Sequence, residues 1–241
     1  GTGNTFNPQG SLTVNASSVS STINKDLAVT VPTTINVANG SASTDLLING
    51  VIFGAGDFTK TGAGQLRLTG VNTYSGPTVV AAGLLTINDG AGLGSTAAGT
   101  VISNGASLAI GVAVGTEALT LNGPGSAAYG FGALYSFSGP NSWTGPITLA
   151  SDSVIEVNGS TFDLSGVISG PGDFTKVGGG TLIFSGAAGN NYTGNTFVQE
   201  GTLELGKVLA IQSSASLVIG DGIGGAIADV VRYTANNCIN T

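Results

Sequence analysis

One phrase of the sequence occurs twice. GVIFGAGDFTKTGAGQLRLTG covers residues 50–70, and GVISGPGDFTKVGGGTLIFSG begins 116 positions later and covers residues 166–186. A repeat of this kind is typical of a solenoid, because each unit buries its apolar face only by stacking on its neighbours. We therefore expect any function of this chain to lie on the outer surface of a solenoid.

The similarity extends beyond this phrase, to residues 50–87 and 166–205, and a degenerate third copy lies near residues 123–157. In the third copy, Gly139, Asn141, Trp143, Gly145 and Pro146 take the places that Gly70, Asn72, Tyr74, Gly76 and Pro77 take in the first copy. We expect a single domain over residues 1–241, which continues into a longer chain or an assembly.

Short runs of alternating apolar and polar residues dominate the chain. In QLRLTG, Leu66 and Leu68 are expected to point inward and Gln65 and Arg67 outward, which is the period of a half-buried strand. No window shows a convincing helical stripe. An antiparallel sandwich also has short strands at regular intervals, but the repeat favours an all-β, right-handed parallel β-helix. Coils of roughly 20 to 25 residues predict about ten coils and a rod about 50 Å long.

The amino-acid composition argues against several classes of function. Only 8% of the residues are charged and the formal net charge is −7, which argues against nucleic-acid binding. Histidine is absent and Cys238 is the single cysteine, so zinc sites, thiol–histidine dyads and internal disulfides are not expected. The chain also lacks histidine as a general base, which most classes of enzyme use. We predict no catalytic residue, no cofactor and no metal site.

The repeats resemble the passenger-associated transport repeat, also called the autotransporter-associated β-strand repeat. The structural signature that carries the resemblance comprises Lys60, Gly62, Gly64, Gly70, Gly76, Lys176, Gly178, Gly180, Gly186 and Gly194. Leu66, Leu68, Asn72, Tyr74 and Thr78 match in the first copy, and Leu182, Asn190 or Asn191, Tyr192 and Thr196 match in the second. Phe58 and Phe174 depart from the pattern, which has leucine there.

The resemblance implies a bacterial extracellular or cell-surface protein with a parallel β-helix passenger. It also implies an outer-membrane β-barrel translocator as a partner, and repeats that serve secretion and stacking but not chemistry. Open coil ends make a homo-polymer plausible. A host surface or a polysaccharide is the other partner class that we expect for such a protein.

Three groups of side chains are candidates for a site. Lys60 and Lys176 recur beside Asp57 and Asp173, and a structural role at a coil corner explains these pairs better than a binding site does. Tyr74, Trp143 and Tyr192 occupy one repeat position, where they could stack between coils on one flank or instead form a surface aromatic ladder that holds sugar rings. Glu200 and Glu204 share a strand face, as a glycosidase pair does.

Two functions therefore remain. The first is a non-catalytic structural or interaction protein: a stalk, an adhesin or a filament subunit. The second is a carbohydrate-binding or carbohydrate-cleaving β-helix that uses the aromatic ladder and the two glutamates. The two functions differ in whether the aromatic side chains face the solvent.

Overall fold

The computed structural model describes residues 5–212, 216–220, 222 and 227–239. Strands occupy these ranges and no helix occurs within them. The strands are β1 (Thr5–Phe6), β2 (Ser11–Val14), β3 (Ser21–Ile23), β4 (Asp26–Ala28), β5 (Thr33–Val37), β6 (Leu46–Ile48), β7 (Ile52–Phe53), β8 (Phe58–Thr61), β9 (Gln65–Leu68), β10 (Thr78–Val80), β11 (Gly83–Ile87), β12 (Thr100–Ile102), β13 (Ala106–Ile110), β14 (Leu119–Gly123), β15 (Leu134–Ser136), β16 (Asn141–Trp143), β17 (Ile147–Val157), β18 (Thr161–Leu164), β19 (Ile168–Ser169), β20 (Phe174–Val177), β21 (Thr181–Phe184), β22 (Thr196–Val198), β23 (Gly201–Leu205), β24 (Leu217–Ile219) and β25 (Asp229–Tyr233).

The strands stack in parallel on three faces of a β-solenoid of about ten coils, as the sequence predicts. Face 1 contains β2, β5, β8, β10, β12, β14, the start of β17, and β19. Face 2 contains β3, β6, β9, β11, β13, β15, the end of β17, β20, β22 and β24. Face 3 contains β1, β4 and β7 near one end, and β16, β18, β21, β23 and β25 near the other.

Equivalent residues of successive coils lie directly above one another. One inward column of face 2 consists of Leu46, Leu66, Leu85, Leu108, Leu134, Ile155, Lys176 and Val198, all of which are buried. Leu66 and Leu68 point inward and Gln65 and Arg67 are half-buried on the outside, so the predicted period of two is confirmed. The core is therefore a stack of apolar layers that runs along the solenoid axis.

The two strong repeat copies lie on different faces. Phe58 and Lys60 belong to β8 on face 1, whereas Phe174 and Lys176 belong to β20 on face 2. On face 1, five successive strand pairings connect Phe58 of β8 with Ile168 of β19. The next strand of the chain, β20, lies on face 2. The second copy is therefore rotated by one face about the solenoid axis.

Gly83 shows why glycine is required at a corner. It begins β11 with a φ of +71°, and a Cβ atom there would lie 2.5 Å from the carbonyl oxygen of Gly62 and 2.7 Å from that of Gly64. Gly105 has a similar φ of +82°, but a Cβ atom there would have no neighbour within 4 Å. A side chain at either position would strain the backbone, but only a side chain at position 83 would also overlap with the preceding coil.

We expect Gly83→Ala to lower the free energy of unfolding by at least about 3 kcal/mol, because strain and overlap both act there. Gly105→Ala is the matched control and should cost about 1 kcal/mol, since only the strain applies. Urea denaturation followed by circular dichroism measures both values. If both variants lose the same free energy of unfolding, steric overlap between coils is not the reason that glycine is needed at position 83.

Candidate functional site

The repeated lysines lie inside the solenoid, at its corners. Lys60 and Lys176 are both fully buried. The Nζ atom of Lys60 donates to the carbonyl oxygens of Thr61 (3.3 Å), Gly62 (2.7 Å) and Ala82 (2.8 Å). Ala82 belongs to the corner of the next coil, so one ammonium group joins two successive coils.

Lys176 makes the equivalent contacts one face later. Its Nζ atom donates to the carbonyl oxygens of Val177 (3.0 Å), Gly178 (2.5 Å) and Glu200 (2.8 Å). The partners are therefore corner carbonyls of the same coil and of the next coil, whereas the sequence alone also allowed a pair with Asp173. These contacts explain why lysine and the glycine two residues later recur together.

A third buried lysine, Lys207, lies outside the repeat signature of the sequence. Lys207 follows β23 and donates from Nζ to the carbonyl oxygen of Gly166 at 2.8 Å, two coils earlier along the chain. The ammonium group of Lys60 contacts the corner between faces 1 and 2, that of Lys176 the corner between faces 2 and 3, and that of Lys207 the corner between faces 3 and 1. Each corner of the solenoid thus holds one buried lysine.

Two asparagines join three coils each. Asn72 accepts from the backbone N–H of Ile52 (2.8 Å) and donates to the carbonyl oxygen of Gly92 (2.7 Å). Asn190 accepts from Ile168 (3.0 Å) and donates to Ala210 (2.8 Å). Asn190, and not Asn191, is therefore the equivalent of Asn72.

The predicted surface aromatic ladder is wrong. Tyr74, Trp143 and Tyr192 are each 0% exposed. Their polar atoms are satisfied internally, since the Tyr74 hydroxyl pairs with Thr78 at 2.5 Å and Trp143 Nε1 donates to the carbonyl oxygen of Glu117 at 2.8 Å. These partners inside the solenoid allow full burial of the aromatic side chains, so the three residues form no surface for sugar rings.

The two candidate glutamates also make separate contacts. Glu200 Oε2 accepts from the backbone N–H of Gly178 at 2.9 Å. Glu204 Oε2 lies 3.5 Å from Arg232 Nη1 on the neighbouring strand, with the arginine side chain 61% exposed. Each carboxylate is thus held by its own structural partner, and the two do not form a pair that faces a common cleft.

A different part of the molecule forms an outer surface with recognisable binding features. Leu119 of β14 pairs with Ile147 of β17, so this coil has 28 residues. The additional length lies in residues 124–133, which we call the strap. The strap lies across the outside of face 2. Both halves of the strap are hydrogen-bonded to Ser107 of β13. Ser107 Oγ accepts from Ser126 N at 2.9 Å and donates to Phe131 O at 3.2 Å.

The strap covers outward-facing residues of earlier coils. Leu84 and Thr86 of β11, and Ser107 and Ala109 of β13, are at most 4% exposed although they point away from the core. At its tip, the Tyr129 hydroxyl lies 3.4 Å from Asn39 Oδ1, which is 90 residues away in sequence. Burial and the nearby charge of Asp45 raise the pKa of Tyr129 to about 12.

Four aromatic rings continue from the strap into β15 and the residue that follows it. Tyr129 and Phe131 have ring centroids 6.2 Å apart, Phe131 and Tyr135 4.2 Å, and Tyr135 and Phe137 6.0 Å. All four residues are half-buried on the outside of the solenoid. The unusual coil length and the run AYGFGALYSF were the signals in the sequence that could have identified this surface.

The strap separates two open clefts. One, of about 200 Å³, lies between the aromatic rings and the outer residues of β9, β11 and β13, including Arg67. The other, of about 500 Å³, lies towards β17 and β20 and is lined by Glu156, Glu200, Val154 and Val177. Glu156 also holds the end of the strap, since its Oε2 accepts from Gly132 N at 3.0 Å.

In the described ranges, no group of three or more acidic or cysteine side chains is arranged to bind a metal ion. Within those same residues, no helix is long and apolar enough to cross a membrane.

Comparison with known proteins agrees with the resemblance inferred from sequence. The passenger-associated-transport-repeat family matches residues 58–87 and 174–205. The chain is 34% identical over 156 residues to the adhesin BmaC autotransporter of Brucella suis biovar 1 (strain 1330). The aligned region is 65% of this chain and 4% of that protein, so the chain spans a small part of its curated relative. No solved structure is significantly similar to the chain.

We expect Lys176→Met to lower the free energy of unfolding by about 2–4 kcal/mol, because it leaves corner carbonyls buried without donors. The exposed Lys25 gives the control variant Lys25→Met, which should change stability by less than about 0.5 kcal/mol. Urea titrations of both variants test this expectation. A loss in Lys176→Met no larger than in the control would contradict the role assigned to the buried ammonium.

The buried lysines also predict a pH dependence. Burial lowers the pKa of Lys207 to about 8, against 10.5 for the ordinary group, and the charge of Asp163 opposes part of this shift. Between pH 8 and 9.5 the unfolded chain therefore binds more protons at this position than the folded chain. Stability contributed by this group must rise with pH in that window.

The difference in unfolding free energy between the wild type and Lys207→Met isolates this titration. We expect the wild type to gain stability relative to the variant as the pH rises from about 8 to about 9.5. Urea midpoints at several pH values in this window provide the measurement. A difference that falls or stays constant would mean that the folded-state pKa is not lowered.

Proposed function

We propose that this chain, which contains two passenger-associated-transport repeats, is a segment of a surface-exposed autotransporter passenger with an adhesive role. Support comes from the match to the repeat family and from the similarity to an adhesin autotransporter. A bacterial cell-surface or extracellular location follows from the same two findings. The family also implies association with an outer-membrane translocator.

One structural observation carries the proposal. The lysines and asparagines of the repeats are buried and hold successive coils together, and the tyrosines of the repeats are buried in the core. The repeats therefore build a rigid support, and the outer surface remains for recognition. The strap is the part of that surface where aromatic side chains gather beside open clefts, a composition common in protein–protein interfaces.

We also propose that the chain is not an enzyme. The carbohydrate alternative depended on Tyr74, Trp143 and Tyr192 and on the pair Glu200 and Glu204. The aromatic residues are buried and the glutamates have separate structural partners, so nothing supports that alternative. Self-assembly through coil ends and binding to a host surface stay predictions from the sequence.

Surface display tests the adhesive role. The chain is fused to an outer-membrane translocator, and adherence of the displaying bacteria to cultured epithelial cells is counted. We expect the double variant Tyr129→Ala, Phe131→Ala to reduce adherence about tenfold, because aromatic residues at the centre of an interface contribute most of its binding energy.

The matched control is Phe53→Ala, which removes an aromatic ring that is 36% exposed on face 3, away from the strap. Antibody labelling of intact cells confirms equal display of each variant. The adhesive role would be contradicted if bacteria that display the wild-type chain adhered no better than bacteria that display the translocator alone. Equal adherence of the wild type and the strap variant would remove the strap from it.

A further inference from the structure

We propose that the cleft beside Arg67 binds a carboxylate side chain of a partner polypeptide, together with an apolar group next to that carboxylate. This inference rests on the proposed adhesive function and names the chemistry of its partner. The cleft is the one of about 200 Å³ between the strap aromatics and strands β9, β11 and β13.

Strand register defines the shape of the cleft. Arg67, Thr86, Ala109 and Tyr135 are paired on four successive coils and form one outward column. Successive coils are about 4.8 Å apart, so Arg67 and Tyr135 are separated by about 14 Å along the axis. The two small residues between them are at most 4% exposed and lie at the bottom of a groove with a cation at one end and an aromatic ring at the other.

Aromatic and aliphatic side chains form the walls of the groove. Phe131 stacks on Tyr135 at 4.2 Å, Phe137 lies 6.0 Å from Tyr135, and Leu84 lies beside the floor. These side chains make the end of the groove that is distant from Arg67 apolar. An apolar group of the ligand therefore gains the free energy of burial there.

Arg67 is fixed but lacks an acidic partner. Its Nε atom donates to Asn88 Oδ1 at 2.7 Å, which orients the guanidinium group. Across the residues that the structure describes, no carboxylate oxygen lies within 4 Å of this side chain. A guanidinium group binds a carboxylate through two parallel hydrogen bonds, which gives geometric specificity as well as binding energy.

The other lysine and arginine side chains of the described residues either have hydrogen-bond or ion-pair partners or are exposed. Lys60, Lys176 and Lys207 donate to backbone carbonyls, and Arg232 lies beside Glu204. Lys25 is exposed at a corner. Arg67 is thus a half-buried cation beside an apolar groove in a chain of net charge −7, and charge complementarity selects an anionic group for it.

Nuclear magnetic resonance on the purified ¹⁵N-labelled chain tests the inference. The probe is the peptide acetyl-Leu-Glu-Leu-amide, and acetyl-Leu-Gln-Leu-amide is its neutral control. We expect the glutamate peptide to shift the Arg67 Nε–H signal and the Thr86 and Ala109 amide signals in a saturable way. Binding should weaken with added salt and be about tenfold weaker for the glutamine peptide.

Variants of two arginines complete the design. Arg67→Gln should weaken peptide binding about tenfold, because it removes the guanidinium group, whereas Arg232→Gln should leave binding unchanged. Absence of saturable shifts at millimolar peptide, or equal binding by both peptides, would overturn the inference. So would equally tight binding of butyrate, which would mean that a free carboxylate is sufficient, or self-association of the chain that Arg67→Gln abolishes.

The peptide experiment and the adherence experiment fail independently. Adherence that requires the strap, with no peptide binding at Arg67, would overturn this inference and leave the proposed function in place. Peptide binding at Arg67 without adherence would contradict the adhesive role instead.

Discussion

Backbone carbonyls at the corners of the coils cannot all be paired within the strand ladders, and the closure of the solenoid depends on how they are satisfied. The chain uses buried lysines for this purpose. Lys60 and Lys176 each donate to three carbonyl oxygens, at least one of which belongs to the next coil. An ammonium group suits this role because it has three donors and no acceptor, and its long stem reaches the corner through the apolar core.

The rotation of the second repeat by one face shows what the repeat specifies. Lys60 and Lys176 lie at different corners, yet they make equivalent contacts with carbonyls of the same coil and of the next coil. The motif therefore specifies a corner and the contacts between coils, and not a particular face. Recognition surfaces can then be placed on any face, and this chain places its strap on face 2.

Much of the scaffold was predictable from the sequence. The repeat and the alternation in segments such as Gln65–Leu68 predicted a parallel solenoid of about ten coils, because both features follow from strand geometry. The run AYGFGALYSF was a signal for the strap, but the position of the strap across face 2 was not predictable, since it depends on contacts such as Tyr129 with Asn39, 90 residues apart. The sequence alone left the burial of Tyr74 and Tyr192 open, because it depends on the hydroxyls of Thr78 and Thr196, which satisfy the phenol groups inside the core.

The most direct test of this account observes the lysine side chains themselves. Nuclear magnetic resonance of a chain with ¹⁵N-labelled lysine Nζ and ¹³C-labelled carbonyls detects scalar couplings across hydrogen bonds. The account predicts slowly exchanging Nζ signals for Lys60 and Lys176, with couplings to the carbonyls of Gly62 and Ala82 and of Gly178 and Glu200. Signals that exchange as fast as that of the exposed Lys25, without such couplings, would contradict the central claim that buried lysines close the corners.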